Sequence, residues 1–212
     1  MMNRSKKETG TEQVQTGIET SGKERASMEK RKSKTYDLVM TAMMMGLILL
    51  MTFIIRIPIP ATKGYIHLGD CMIFMAVLIL GWKRGALAAG VGSALADLLG
   101  GYGNYAPVTL IVKAAMAAVV GLFIEAAIRK GFSDRGLRVM EIIGMVLGGA
   151  VMCAGYYVAE GFMYGNWLVP LASVPMNILQ FVVGIVIASL LAAALYKTRV
   201  GSRMAYHLGQ SR

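Results

Sequence analysis

Residues 68–99 read LGDCMIFMAVLILGWKRGALAAGVGSALADLL. Two apolar runs, about Leu68 to Trp82 and Gly85 to Leu99, are parted by little more than the basic pair Lys83 and Arg84. Each run is short for a perpendicular bilayer crossing, which takes about 20 residues. With almost nothing joining them, they predict a tight helical hairpin set inside a membrane.

The rest of the chain repeats the signal. Further apolar runs lie at about Tyr36 to Ile57, Pro107 to Ile128, Val139 to Met163 and Pro170 to Tyr196, with Pro107 and Pro170 where helix starts tolerate proline. Of the 212 residues, 56% are apolar and only 16% charged, well below a soluble domain, and the mean hydropathy is +0.56. Glycine at 25 and methionine at 17 suit packed membrane helices. The predicted fold is an all-α integral membrane protein, a six-transmembrane-helix bundle over residues 35–198.

Charge sets the orientation. Lysine and arginine in residues 1–34, at Lys83 and Arg84, between Arg129 and Arg138, and after Tyr196 make up 19 of the 22 in the chain. An even number of spans puts both termini on that side, and the positive-inside rule makes it cytoplasmic. The opposite loops hold only Arg56 and Lys63. The net charge of +10 thus orients the protein against anionic lipid, and no basic patch interleaved with aromatics points to nucleic acid. Residues 1–34 are polar, mixed in charge and free of the pattern of a cleavable signal peptide, so a disordered cytoplasmic tail is expected, with a short basic tail at 199–212.

Catalytic and cofactor patterns are weak. Cys71 and Cys153 lie in separate spans without metal-ligand spacing and read as buried free thiols. Gly17 to Glu24 has phosphate-loop spacing, but Glu24 stands where a magnesium-binding hydroxyl is needed and no strand precedes it. His67 and His207 fall on opposite sides of the membrane in this topology, so no shared histidine metal or nucleophile site arises. No enzyme activity, metal or cofactor is expected.

Polar residues inside the spans gather near one face. Asp97, Lys113 and Glu160, with Asn177, lie within about two turns of the outer side, where a bilayer tolerates them only facing protein, water or ligand. Lys113 sits about 9 Å inside Pro107, with Thr109 one turn above it on the same face. Its nearest acidic partner in sequence is Asp97; the two either pin neighbouring helices together, orient a ligand, or do both. Tyr156 shares a face with Glu160, and Asn177 and Gln180 form a stripe on the last helix. A carboxylate, an amide and tyrosine rings suit a small polar heteroaromatic ligand, although interhelical hydrogen bonding uses the same groups. The outer stretches Ile57 to Ile66 and Gly100 to Tyr105, with Tyr102 and Tyr105, read either as lids or as connectors.

Along the segments Ile66-His67-Leu68-Gly69-Asp70, Gly85 to Ala88, Gly92 to Leu99, Gly101-Tyr102, Tyr105-Ala106-Pro107, Thr109 to Lys113, Tyr156, Glu160 and Pro175-Met176-Asn177, the chain resembles the S components of energy-coupling factor (ECF) vitamin transporters. The resemblance runs from Tyr36 to Lys197. It implies a multi-pass protein of a prokaryotic plasma membrane that captures a B-vitamin or precursor on the outer side. The candidates are pyridoxine, hydroxymethylpyrimidine and riboflavin-like compounds. It further implies release inward by toppling in the membrane when docked to a transmembrane T subunit and two ATPase subunits. Ala42 and Gly46 on the first helix, and Ala86 and Gly90 on the third, have the small-residue spacing of a docking face or of internal packing. Gly46 departs from the alanine usual in that family, as do Ala114 and Ala115 from its glycines. A self-sufficient secondary transporter or channel is the alternative, kept open by Glu125 and Glu141 near the inner face.

Overall fold

The structure, a computed structural model, describes residues 34–54, 56–59 and 64–198. Both tails, His207, the Gly17 to Glu24 stretch and the loop at 60–63 lie outside the described residues. Two compact units are distinguished, 1–39 and 40–212. Of the first, residues 34–39 are described and are helical.

Five helices are long and apolar enough to cross a membrane. Helix α1 covers Lys34–Ile54. A two-stranded antiparallel ribbon follows, β1 Arg56–Ile59 and β2 Gly64–His67, in the register Arg56↔His67, Ile57↔Ile66, Pro58↔Tyr65. Then come α2 Gly69–Leu99, α3 Ala106–Arg129, α4 Asp134–Tyr164, a 3-10 turn Val169–Ala172, and α5 Val174–Tyr196. The ribbon corrects the all-α expectation, which left Ile57 to Ile66 as a lid or connector: proline fixes β1 extended, and a two-stranded ribbon has open edges where the missing proline N–H costs nothing. Pro170 does not open the last helix, as its position suggested. It lies in the 3-10 turn, and Pro175 takes the first turn of α5.

Helix α2 is broken at Gly81, whose φ of 79° and ψ of 173° belong to no helix. A Cβ placed on Gly85 would sit 2.8 Å from Val77 Cα, whereas residues eight apart in a straight helix are about 12 Å apart. The chain therefore reverses at Gly81, and glycine at 85 lets the two arms touch backbone to backbone. This is the hairpin that residues 68–99 predicted. At 1.5 Å per residue the first arm, 69–80, is about 18 Å long and the second, 82–99, about 27 Å.

Small residues bring the remaining helices close. Gly90 on α2 faces the Leu110 carbonyl of α3, and Gly148 on α4 faces Val120 and the Met116 carbonyl. Phe74, Leu78, Met116, Ile124, Met145 and Met152 fill the centre without exposure. Around them Leu87, Ile111, Val146 and Leu190 stay exposed, an apolar surface suited to lipid.

Candidate functional site

The unequal arms of α2 make the site. Both arms meet at Gly81, so the shorter one ends about 9 Å below the other at the far side of the bundle. A recess opens above it. Strand β2 dips into that recess and carries Tyr65 and His67 with it.

At the base of the recess, Asp70 in the first turn of α2 meets Lys113 of α3 at 2.5 Å, and both side chains have no exposure. Lys113 Nζ also reaches Met152 Sδ at 2.8 Å and lies over the Tyr156 ring. Gln180 donates to the second oxygen of Asp70 at 2.8 Å, and its own carbonyl accepts the His67 backbone N–H at 3.0 Å. Every charged oxygen here has a partner, as a buried pair needs. This corrects the expected pairing of Lys113 with Asp97. Asp70 lies in the first turn of its helix, where it was not singled out, and the ribbon leading into that turn leaves it fully buried.

Above this floor is a cavity of about 430 Å³ lined by Tyr65, His67, Asp97, Tyr102, Tyr105, Thr109, Tyr156, Glu160, Ser173, Asn177 and Gln180. The rings that line it stand close together and leave it narrow. Eight of the nine residues singled out from sequence line it; Lys113 is the exception, one layer below. Tyr65, His67 and Ser173 were not anticipated.

The polar groups divide by whether their bonds are already made. Glu160 is engaged on both oxygens, by Ser173 Oγ at 2.5 Å and by the Tyr105 hydroxyl at 3.3 Å, which also meets the Tyr164 hydroxyl at 2.9 Å. Tyr156 donates to Thr109 at 3.1 Å. Asp97 accepts from Tyr65 at 2.5 Å through Oδ1, while its buried Oδ2 has no hydrogen-bond partner. The Asn177 side chain, 7% exposed, also makes no hydrogen bond among the described residues. Gly69 N–H donates to His67 Nδ1 at 2.9 Å, which puts the ring proton on Nε2. Burial, helped by the Lys113 charge, pushes the His67 pKa down to about 3, so the ring is neutral. Burial and the Asp97 carboxylate push the Tyr65 phenol well above its ordinary value, and it remains a donor. Burial and the Tyr164 hydroxyl do the same for Tyr105. The cavity thus offers an unpartnered acceptor oxygen at Asp97, an amide at Asn177 and tyrosine faces between them.

Arg56 holds the roof. Its guanidinium donates to the carbonyls of Ala96 at 3.0 Å and Gly100 at 3.4 Å, at the C-terminal end of α2, where a cation is favoured. It also lies 4.8 Å from the Tyr65 ring centroid and 5.9 Å from that of Tyr102, whose rings are 4.5 Å apart. Tyr102 and Tyr105 separate the cavity from an outer hollow of about 750 Å³ that also touches Asn104, Met163 and Tyr164.

The small-residue faces differ. Ala42 and Gly46 are exposed on α1, and a Cβ on Gly46 would meet nothing within 4 Å. Gly90 is buried against Leu110 and Ala114, and Ala86, partly buried, packs against the core.

Comparison with known proteins places these features. The family model described as "ECF-type riboflavin transporter, S component" matches residues 32–197. The chain is 30% identical over 170 residues to the thiamine precursor transporter HmpT of Lactococcus lactis subsp. cremoris (strain MG1363), covering 80% of this chain and 90% of that one. It is 39% identical over 150 residues to an uncharacterized protein of Pyrococcus woesei, covering 71% of this chain and 94% of that one. A solved structure of the S component of a bacterial ECF transporter superposes with a TM-score of 0.59 at 22% identity, over 76% of this chain and 96% of the other, a likeness of fold.

Proposed function

Because the chain belongs to the family of S components of ECF-type riboflavin transporters, we propose that it captures a B-vitamin or vitamin precursor on the outer face of the membrane. It delivers that cargo inward when docked to a transmembrane T subunit and two ATPase subunits. The observation that carries this reading is a tyrosine-walled recess in which the buried Asp97 Oδ2 has no hydrogen-bond partner and the Asn177 side chain makes none among the described residues. Such groups are costly to bury without partners. A ligand that donates to Asp97 and pairs with Asn177 removes that cost, so the cavity favours a flat heterocycle with N–H or O–H donors.

The narrow interior suits one ring better than three fused rings. The relative described as a thiamine precursor transporter points the same way, which makes hydroxymethylpyrimidine the first candidate, ahead of pyridoxine and riboflavin. Counting the arms of α2 separately, the chain crosses six times and returns both termini to one side. The basic residues make that side cytoplasmic, in the plasma membrane of a prokaryote, and leave the cavity open outward. The exposed Ala42 and Gly46 are the proposed contact for the T subunit.

Equilibrium binding of the three compounds to the purified chain, with mass spectrometry of co-purifying small molecules, tests the assignment. One of them should bind in the nanomolar to micromolar range. Asn177→Ala and Asp97→Asn should each weaken it about ten- to a hundredfold. Glu160→Ala should weaken it through loss of the Ser173 and Tyr105 anchorage. Absence of binding, or normal binding by all three variants, rejects the site. The self-sufficient transporter rests on Glu141 alone, since Glu125 is paired with Arg129. It requires uptake into vesicles containing only this chain under an ion gradient.

A further inference from the structure

At the opposite end of the bundle, α4 and α5 part around a second hollow of about 370 Å³, lined by Arg138, Glu141, Ile142, Ser189, Ala192 and Tyr196 together with Ala193. Glu141 is only 4% exposed there. Its Oε2 accepts the Tyr196 hydroxyl at 3.4 Å, a long bond, and no other hydrogen bond or ion pair reaches the carboxylate among the described residues. Arg138, three residues earlier on the same face, is exposed; its charge acts on Glu141, but no close salt bridge joins the two.

Depth decides what can meet these groups. Helix α4, at 31 residues, is about 46 Å long and exceeds a hydrocarbon layer of about 30 Å by about 8 Å at each end. Glu141 lies seven residues from the helix start, about 10 Å along the axis, at the boundary between acyl chains and headgroups. Helical side chains lean toward the N-terminus, so its carboxylate rises toward the headgroups, where Tyr196 at the end of α5 meets it. Arg138 stands one turn further out, among the phosphates. Apart from Ser189 the remaining wall is apolar, as an acyl chain would require.

We propose that this hollow seats the headgroup of phosphatidylethanolamine, its primary ammonium donating to Glu141 and its phosphate lying on Arg138. An anionic headgroup would meet the Glu141 charge. A trimethylated ammonium has no N–H to give to a carboxylate whose one donor, the Tyr196 hydroxyl, is distant. Only a headgroup with an anion and a hydrogen-bonding cation two carbons apart satisfies both side chains.

The test is native mass spectrometry of the full chain, purified in detergent doped with equal amounts of phosphatidylethanolamine, phosphatidylcholine and phosphatidylglycerol. Phosphatidylethanolamine should be retained about tenfold over the other two, the worth of one charge-assisted hydrogen bond in a site shielded from water. Mono- and dimethylated ethanolamine lipids should fall stepwise between the extremes, a comparison that needs no variant. Glu141→Gln should bring the three lipids to near parity, and Arg138→Ala, an exposed position, should lower retention of all. Equal retention by the unaltered chain, a preference for phosphatidylglycerol, or a preference unchanged in Glu141→Gln overturns the proposal. So does a failure to retain any lipid, which leaves the carboxylate for a basic side chain of a partner subunit.

Discussion

Removing one member of the buried pair at the cavity floor should cost far more than removing both. In Lys113→Met the Asp70 carboxylate keeps Gln180 on one oxygen and loses its only cation, with no water to replace it. At an effective dielectric of about 20, two unit charges near 4 Å attract by about 4 kcal/mol, and stranding one buried charge costs about 3–5 kcal/mol in measured cases. The double variant Asp70→Asn, Lys113→Met leaves a neutral amide that Gln180 can still donate to beside an apolar chain of similar length. It should lie within about 2 kcal/mol of the parent, giving a coupling of at least about 2 kcal/mol. Cys153 is only part-buried, not the buried thiol the sequence suggested, so unfolding in detergent is followed by a thiol-reactive dye in a Cys153→Ser background, where the buried Cys71 reacts only when the floor opens. If Lys113→Met costs less than about 1 kcal/mol, or the single effects simply add in the double variant, the pair is not the strut described above.

Four other outcomes follow from particular residues. His67 is held neutral by burial and by Lys113, with its pKa lowered from 6.5 to about 3, so below pH 6.5 the unfolded chain takes up a proton that the folded chain refuses. Stability should therefore fall with pH below about 6.5, by about 2 kcal/mol at pH 5 and not at all above 6.5, and the slope should flatten in His67→Gln; identical slopes contradict this. Gly81→Ala forces a side chain into a conformation reserved for glycine and should destabilise by about 1–3 kcal/mol in the same thiol assay, whereas no loss would mean the turn relaxes. Gly46→Leu adds a side chain to open space and should leave ligand binding intact while abolishing uptake by the assembled importer. Gly90→Leu meets the Leu110 carbonyl and should lose the folded protein itself on size-exclusion chromatography.

What could be read in advance was whatever depends on short-range pattern. Apolar runs and the basic pair Lys83 and Arg84 marked the crossings and the reversal within residues 68–99, and intramembrane polarity marked Asp97, Glu160 and Asn177 as facing something other than lipid. The ribbon escaped because its pairing joins residues across a loop, and Ile57 to Ile66 carries no alternation of its own. Tyr65 and His67 were missed with it. Lys113 drew attention correctly, but its partner was chosen by sequence proximity, and Asp70 is brought to it by a fold-back that no local spacing announces. Gly90 shows the limit of small-residue motifs: the same spacing serves an exposed face at Ala42 and Gly46 and a closed helix contact at Gly90.

The two arms of α2 differ by a whole number of residues, and this makes the room for cargo a matter of counting. Adding one helical turn between Gly69 and Gly81 would raise the floor by about 5 Å and leave little space beneath the tyrosines, while deleting one would deepen the chamber by the same amount. Capacity can thus be altered without touching a single wall residue, through insertions and deletions in a segment that never meets the cargo.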